Sequence, residues 1–346
     1  MTDPAESAPA TPLAGRPAWL ITDGKAGMDV QCHGVAKALG MDIAVKHVAP
    51  GRPWRTLAPW GPTDPKDAFG KARGPFAPPW PAVALATGRQ SIPYIRAIRR
   101  AAGPDTFTVV LQNPRTGTGT ADLICVPEHD SIRGANVLTT LTAPHGFSAD
   151  LLAKLRQAPP EGLARLPQPR VAVILGGPNA IYRYTPAAVD CLARSLRSLA
   201  ALGASFLITP SRRTPEAVTA AIRAATDGAE RVVWDGTGEN PYAAFLALAD
   251  RLVVTADSVN MTGEACATGR PVHVFEPEGG SAKFRQFHEA LRRYGATRAL
   301  PETFARLENW SYAPLDSAAI IAREIERRWL RRGEQESVES VEGSIR

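Results

Sequence analysis

The 346-residue sequence predicts an α/β protein made of two Rossmann-like, doubly wound domains that face each other across a cleft. Its length suits two domains of ordinary size. Its apolar runs are short and continuous rather than alternating, which is typical of strands covered on both faces in a parallel sheet. Segments with helical periodicity separate these runs, and the strand–helix alternation continues through both halves of the chain.

The first half begins this alternation, with helices predicted at Val30–Leu39 and Ile92–Ala101. The predicted strands are Trp19–Thr22, Ile43–Val48, Val83–Ala86, Phe107–Leu111, Leu123–Val126 and Val137–Leu141. Residues Pro50 to Pro81 are rich in Pro, Gly and Trp, and they are too numerous for an ordinary connection. This segment is either a functional loop or a mobile excursion.

The second half repeats the alternation with clearer helix starts. The predicted strands are Val171–Leu175, Phe206–Thr209, Val232–Trp234, Leu252–Thr255 and Val272–Phe275. Capping residues or prolines begin the helices, at Thr185-Pro186, Thr214-Pro215, Pro241 and Ser258. A last, amphipathic helix is predicted from Ser317 to Arg332, where Ile320, Ile321, Ile325 and Trp329 form its apolar stripe.

The domain boundaries follow from composition, because a Pro- and Gly-rich stretch with few apolar residues divides the chain near residue 160. The predicted divisions are a disordered tail at 1–16, an N-terminal Rossmann-like domain at 17–160, a C-terminal Rossmann-like domain at 161–316, a helix at 317–332 that packs back across the domains, and a disordered tail at 333–346.

The charge balance is mildly basic, with 40 Lys and Arg, 34 Asp and Glu, and a net charge of +6. This excess suits a partner that carries phosphate or an anionic membrane face, and no motif indicates nucleic acid. The four cysteines are scattered, which argues against a disulfide scaffold or a zinc site. No signal peptide or membrane-spanning run is recognisable, so we predict a cytoplasmic protein.

Polar residues follow several strands of the second half, at the carboxyl edge where open α/β sheets bind ligands. Gly176-Gly177 would either bring backbone N–H groups close to a phosphate or form a tight turn. Glu264, among small apolar residues of its helix, is suited to accept both hydroxyls of a ribose. The candidate nucleotide-binding residues are Gly176, Gly177, Ser211, Arg212, Arg213, Asn240, Tyr242, Asp257, Ser258, Asn260, Met261 and Glu264.

The first half offers fewer candidates for chemistry. Its first strand runs into a Gly-rich loop that matches neither the dinucleotide fingerprint nor the P-loop. In that loop Asp23 is a candidate base and Lys25 a mobile cation, and His145 is a second candidate base. Residues expected to meet a substrate are Gly24, Gln31, Arg89, Gln90, Ser91 and Asn113. No paired acidic motif predicts a metal site.

Five motifs together resemble the mitochondrial-fission "elongated mitochondria" family, whose bacterial branch is regarded as glycosyltransferases of the GT-B fold. They are Thr22-Asp23-Gly24-Lys25-Ala26-Gly27, Gln112-Asn113-Pro114, Ser211-Arg212-Arg213-Thr214, Gly238-Glu239-Asn240-Pro241-Tyr242, and Val254-Thr255-Ala256-Asp257-Ser258 followed by Met261 and Glu264-Ala265. The resemblance covers roughly Pro17 to Trp329. It implies a nucleotide-sugar donor on the second domain and an acceptor on the first. Met28 departs from the pattern, which has a polar residue there.

The resemblance implies a metal-independent hexosyl- or N-acetylhexosaminyl-transferase. The enzyme would need no cofactor and would move a sugar from a UDP-sugar to a cell-envelope or lipid-linked acceptor. The alternatives are a non-catalytic GT-B-fold adaptor in membrane or organelle fission and a sugar-nucleotide epimerase. Trp54, Trp60 and Trp80, with basic neighbours, either contact the cytoplasmic face of the inner membrane peripherally or cap the hydrophobic core.

Overall fold

A computed structural model describes residues 11–344, apart from the side chains of Ala26 and residues 336–344. The chain divides into two compact units. The first ends at Gly146 and resumes at Ser317, and the second comprises Phe147–Asp316. Each unit contains a six-stranded sheet whose neighbouring strands all run parallel, so the predicted α/β class with two parallel-sheet domains is confirmed.

The first unit has the sheet order β2-β1-β3-β4-β5-β6. Its strands are β1 Pro17–Thr22, β2 Asp42–His47, β3 Val83–Ala86, β4 Phe107–Val110, β5 Leu123–Pro127 and β6 Val137–Thr140. Its helices before the second unit are α1 Ala26–Ala38, α2 Trp54–Leu57 and α3 Ile92–Ala102, with short 3₁₀ turns at Pro65–Asp67, Gly103–Asp105 and Thr118–Thr120.

Strand β1 shows why these strands are apolar at every position. Ala18 and Leu20 pack in the core that includes helix α1, whereas Trp19 and Ile21 pack in the core that includes α3. Successive side chains of a strand point to opposite faces, and here both faces are covered. A continuous apolar run is therefore the pattern that this position in the fold requires.

The Pro- and Trp-rich segment from Pro50 to Pro81 is folded against the first unit. The buried Asp64 carboxylate accepts hydrogen bonds from the backbone N–H groups of Gly51, at 2.7 Å, and Lys66, at 3.1 Å. Phe76 is buried and its ring centroid lies 5.0 Å from that of Tyr94 on α3. Trp80 meets Trp19 edge-on at 5.8 Å, so this tryptophan caps the core.

The second unit has the sheet order β10-β9-β7-β11-β12-β14 and a small antiparallel pair, β13-β8. Its helices are α4 Ala149–Gln157, α5 Glu161–Ala164, α6 Pro186–Ala201, α7 Glu216–Ala225, α8 Tyr242–Leu248, α9 Val259–Cys266 and α10 Ala282–Tyr294. Its strands are β7 Arg170–Leu175, β8 Tyr182–Arg183, β9 Ser205–Pro210, β10 Arg231–Val233, β11 Arg251–Thr255, β12 Val272–Phe275, β13 Glu278–Gly279 and β14 Thr297–Ala299.

The boundary between the units lies at Gly146, earlier than the predicted division near residue 160. Helix α4 belongs to the second unit because it packs against α8, and Arg156 Nε donates to the carbonyl oxygen of Ala247 at 2.9 Å. Ser148 caps α4 by accepting a hydrogen bond from the backbone N–H of Leu151. The proline-rich stretch therefore follows the first elements of the second unit.

The chain returns to the first unit through its last helix, α11 Ser317–Ser344, which packs against α1 and β6. This helix continues well past the predicted end at Arg332, so the expected tail at 333–346 is helical as far as Ser344. The low apolar content suggested disorder, but Glu and Gln are good helix formers. Residues 345–346 lie outside the described part of the chain.

Part of the predicted N-terminal tail, residues 11–16, is instead packed against the first unit. Leu13 is fully buried in the core beside α1, and Thr11 Oγ1 donates to the carbonyl oxygen of Leu39 at 2.8 Å. Residues 11–16 are therefore anchored to the first unit, and residues 1–10 lie outside the described part. Within residues 11–344, no helix combines the length and apolarity that a membrane span requires.

Helix α11 offers a matched pair for testing this packing. Ile321 is fully buried, whereas its neighbour Ile320 is 38% exposed, although the sequence pattern placed both on the apolar stripe. We expect Ile321→Ala to lower the free energy of unfolding by about 2–5 kcal/mol, because it leaves a cavity in the core. Ile320→Ala should cost less than about 1 kcal/mol. Equal shifts of the urea midpoint in the two variants would contradict this placement.

Candidate functional site

The central strands of the second sheet bring three predicted loops together. Strand β7 lies between β9 and β11, and all three run parallel, so their carboxyl ends meet at one edge. The loops that follow them begin at Gly176, Ser211 and Ala256. This edge is where open α/β sheets bind ligands.

The Asp257 carboxylate is the centre of these loops, and its side chain is completely buried. Tyr184 donates its hydroxyl to Oδ1 at 2.6 Å, and the backbone N–H of Gly177 donates to Oδ2 at 2.9 Å. The Arg213 guanidinium lies 3.2 Å from Oδ2. Burial, followed by the charge of Asp257, raises the pKa of Tyr184, so this hydroxyl remains a donor. Asp257 therefore acts as an internal anion that binds three donors.

The backbone N–H groups of the paired glycines bind their own chain, whereas one of the two alternatives that the sequence left open was a phosphate loop. The N–H of Gly176 donates to Thr255 Oγ1 at 2.8 Å, and that of Gly177 to Asp257. A Cβ atom at Gly176 would lie 2.2 Å from Asp257 Oδ2, and one at Gly177 would lie 2.2 Å from the carbonyl oxygen of Arg213. Glycine is required here for close approach within the protein, and neither N–H group is available to a phosphate.

The two arginines of the loop after β9, Arg212 and Arg213, have different surroundings. Ser211 Oγ accepts from the backbone N–H of Arg213, and Thr214 Oγ1 donates to the carbonyl oxygen of Leu175 at 3.1 Å. Thr214 thus ties β9 to β7, whereas the sequence predicted it as a helix cap. Arg212 is exposed and has no hydrogen-bond or ion-pair partner among the described residues. It is the cation of this loop that could meet an incoming anion.

A second cluster joins Tyr242 at the start of α8 to Glu264 on α9. The Tyr242 hydroxyl donates to Glu264 Oε2 at 2.7 Å, and both residues are half-buried. Asn240 Oδ1 accepts the backbone N–H of Tyr242 at 3.0 Å, and Phe147 packs edge-on against the tyrosine ring at 5.5 Å.

Burial raises the pKa of the Glu264 carboxyl, and the hydrogen bond from Tyr242 partly offsets that effect. Burial, followed by the charge of Glu264, raises the pKa of Tyr242 well above its ordinary value. Glu264 Oε1 receives no hydrogen bond from the residues that the structure describes. A carboxylate fixed through one oxygen, with acceptor capacity left over, can bind vicinal hydroxyl groups.

Helix α9 begins beside Asp257. Ser258 caps it by accepting a hydrogen bond from the N–H of Met261, as its position in the sequence predicted. Asn260 is exposed in the first turn, and Met261 is half-buried. The remaining N–H groups of this turn and the helix dipole favour negative charge at this end.

The first unit gathers polar groups at the carboxyl ends of β1 and β2. Thr22 Oγ1 donates to Asp29 Oδ1, and His47 Nε2 lies 3.4 Å from Asp29 Oδ2. Asp23 and Lys25, which lie in the same loop after β1, form an ion pair. Asp29 and His47 were not among the predicted site residues. The signal that could have found His47 is its place near the end of the predicted strand Ile43–Val48.

Several residues predicted to meet a substrate are instead used to hold the fold. Arg89 donates to the carbonyl oxygens of Ala58 and Thr56, which anchors the segment before it. Ser91 is fully buried and donates its hydroxyl to the carbonyl oxygens of Thr87 and Gly88. Asn113 Nδ2 donates to Asp130 Oδ1 at 2.8 Å. In this structure the polar groups of all three side chains have hydrogen-bond partners within the unit.

The remaining candidates of the first unit differ in accessibility. Gln31 and His145 are buried, and a Cβ atom at Gly34 would lie 2.4 Å from the carbonyl oxygen of His145. This close packing makes His145 a poor choice for a base that must reach an acceptor. Gly24 is exposed and Gln90 is half-buried.

Met28 occupies the position where the family pattern has a polar residue. Its sulfur lies 3.3 Å from Thr87 Oγ1 and 3.2 Å from Gln112 Nε2, so it accepts two weak hydrogen bonds from neighbouring strand ends. It cannot transfer a proton. In the described part of the chain no group of three or more His, Cys, Asp or Glu side chains is arranged to hold a metal ion.

Comparisons with known proteins identify a family model and a relative that match most of this chain. The family model "Mitochondrial fission ELM1" matches residues 26–329. The Arabidopsis thaliana protein "Mitochondrial fission protein ELM1" is 32% identical over 294 residues, which cover 78% of this chain and 69% of the relative.

Two solved structures share the fold at low sequence identity. The glycosyltransferase SnogD from Streptomyces nogalater has a TM-score of 0.51 and 15% identity, over 92% of this chain and 95% of that one. The UDP-GlcNAc 2-epimerase from Methanocaldococcus jannaschii also has a TM-score of 0.51, with 9% identity over 89% of this chain and 99% of that one. Both likenesses concern the fold, which is GT-B.

The glycine contacts give a direct test of the Asp257 cluster. Gly176→Ala would place a methyl group against the buried carboxylate, and we expect it to lower the free energy of unfolding by about 1–3 kcal/mol. The control is Gly162→Ala in α5, where a Cβ atom meets nothing within 4 Å. That variant should be neutral or stabilised by up to about 1 kcal/mol. If urea denaturation gives the two variants the same midpoint, the close approach is not a constraint.

Proposed function

The chain belongs to the mitochondrial fission ELM1 family, and on the geometry of its second unit we propose that it is a glycosyltransferase. It would move a hexosyl or N-acetylhexosaminyl group from a nucleotide-sugar, a UDP-sugar in our proposal, to a cell-envelope or lipid-linked acceptor. The observation that carries the proposal is the Tyr242–Glu264 pair. It is the group in the second unit best suited to a ribose.

The Tyr242–Glu264 pair supports donor binding through its hydrogen-bonding pattern. Glu264 Oε2 is held by the tyrosine hydroxyl, which fixes the carboxylate without satisfying all of its acceptor sites. A ribose presents two neighbouring hydroxyl donors that match this remaining capacity. The tyrosine ring beside the carboxylate offers an apolar face for the nucleoside.

The diphosphate would be bound by donors and cations that have no partner among the residues that the structure describes. The Gly177 N–H and the Arg213 guanidinium already contact Asp257. The exposed Arg212 and the N–H groups in the first turn of α9 are the remaining groups for the diphosphate. A guanidinium and a helix N-terminus both stabilise phosphate oxygens, and they would also stabilise the charge that develops on the leaving diphosphate. We therefore assign this role to Arg212, Ser258 and Asn260, and a positioning role to Arg213.

A second candidate function is a non-catalytic adaptor in membrane fission, which is favoured by the name of the Arabidopsis relative. An adaptor needs a partner surface and no donor site. The two functions differ in what Glu264 does, because an adaptor gains nothing from a fixed carboxylate beside Tyr242. Donor binding therefore separates them.

Thermal unfolding with a panel of UDP-, GDP-, ADP- and CMP-sugars tests donor binding. At one hundred times its Kd, a bound donor stabilises the protein by about 2.7 kcal/mol and raises the melting temperature. Glu264→Gln should weaken the affinity about tenfold or more, since hydrogen bonds to a charged group contribute about 1.5–3 kcal/mol. The control Glu289→Gln changes an exposed residue of α10 and should bind like the wild type. If no sugar nucleotide shifts the wild type, the transferase proposal fails and the adaptor is favoured.

We also propose that the protein associates peripherally with a membrane that carries its acceptor. Trp60 is 61% exposed and Leu57 is 48% exposed, and they belong to one turn in which the N–H of Trp60 donates to the carbonyl oxygen of Leu57. Arg96 on α3 donates to the carbonyl oxygen of Trp60, which holds the turn in place. The segment from Pro50 to Pro81 contains five Lys or Arg and two Asp, so its charge suits an anionic surface.

Two leucines of nearly equal exposure test this surface. Leu57→Ser should reduce binding to phosphatidylglycerol-containing vesicles about tenfold, because an inserted leucine contributes about 1.5–3 kcal/mol. Leu330→Ser on α11, where the leucine is 51% exposed, should leave binding unchanged. Binding should also weaken with added salt. Vesicle flotation that is absent in the wild type, or equal in both variants, would contradict membrane contact through this turn.

A further inference from the structure

The pairing of β1 with β2 places a histidine beside a carboxylate at the carboxyl edge of the first sheet. In this parallel register Thr22 and His47, the last residues of the two strands, lie opposite each other. Both residues contact the Asp29 carboxylate in the first turn of α1. Thr22 Oγ1 donates to Asp29 Oδ1, and His47 Nε2 lies 3.4 Å from Asp29 Oδ2. Asp29 is thus held by one strand and faces the imidazole of the next.

His47 is the most accessible of the six histidines, all of which lie in the described part of the chain. Its side chain is 56% exposed, whereas the other five histidines are half-buried or buried. Its Nε2 faces Asp29, and its Nδ1 has no hydrogen-bond partner among the described residues. A Cβ atom at Gly24, where φ is +75°, would lie 4.0 Å from Nδ1. Glycine therefore leaves that side of the ring uncovered.

We propose that His47 is the general base that activates the acceptor, with Asp29 as its positioning residue. This inference rests on the proposed transferase function. Asp29, whose Oδ2 lies 3.4 Å from Nε2, favours the tautomer that carries its proton on Nε2 and its lone pair on Nδ1. Nδ1 takes the proton of the acceptor hydroxyl while the acceptor oxygen bonds to the anomeric carbon. The bond from that carbon to the phosphate oxygen breaks, and the nucleoside diphosphate leaves with the electron pair.

The predicted bases of this unit are less suited to the step. Asp23 is engaged by the Lys25 ammonium, and its side chain is only 8% exposed. His145 is buried against α1. His47 combines an exposed nitrogen with a partner that stabilises the imidazolium formed in the reaction.

The experiment measures nucleoside diphosphate release from the same panel of UDP-, GDP-, ADP- and CMP-sugars. It is run with an envelope lipid extract as acceptor and with water alone.

His47→Ala and His47→Gln should lower kcat about 10²–10⁴-fold while the donor-induced thermal shift stays at the wild-type value. Imidazole in the buffer should restore part of the activity of His47→Ala, which a purely structural role would not allow. Asp29→Asn should also lower kcat, without rescue by imidazole. The control His33→Ala, a half-buried residue of α1, should retain the wild-type rate.

The possible outcomes separate this inference from the proposed function. If the wild type releases nucleoside diphosphate and both His47 variants stay within twofold of it, His47 is not the base and the transferase proposal stands. If a reduced rate in His47→Ala is not raised by imidazole, the residue is structural and the inference is overturned. If the wild type releases none from any donor, the transferase function fails, and the base fails with it.

Discussion

The buried carboxylate of Asp257 is the constraint on which the loops at the carboxyl edge of the second sheet depend. A charge without access to water costs several kcal/mol unless it is paired, and this one is paired with the Gly177 N–H, the Tyr184 hydroxyl and the Arg213 guanidinium. These contacts fix the loops after β7 and β9 against the end of β11. They also decide which groups remain for a ligand: Arg212, the first turn of α9, and the Tyr242–Glu264 pair.

The first unit also has an aspartate whose carboxylate links chain segments at the carboxyl edge of its sheet. Asp29 receives the Thr22 hydroxyl and faces His47, so a carboxylate again ties a strand end to the helix that follows it. The difference is exposure, because Asp257 is sealed whereas the imidazole beside Asp29 is open to solvent. A buried carboxylate thus fixes the loops in the second unit, whereas in the first unit a partly exposed carboxylate lies beside an exposed imidazole.

The sequence predicted the sheets well because strands covered on both faces must be apolar at each position, as at Val83–Ala86 and Val272–Phe275. Strand β14 was missed because only Thr297 of its three residues is buried. Gly176 and Asp257 follow two neighbouring parallel strands, and the structure places them in contact. The sequence could not show that the Gly176 and Gly177 N–H groups are consumed internally, since hydrogen-bond partners depend on tertiary contacts. His47 was missed because no glycine or helix cap follows it.

The most direct test of the account is a crystal structure of the protein with a UDP-sugar that stabilises it. We predict that the ribose hydroxyls contact Glu264 beside Tyr242, that the diphosphate meets Arg212 and the start of α9, and that the N–H groups of Gly176 and Gly177 keep their bonds to Thr255 and Asp257. A diphosphate bound by those two glycine N–H groups, or a nucleoside away from Glu264, would contradict it.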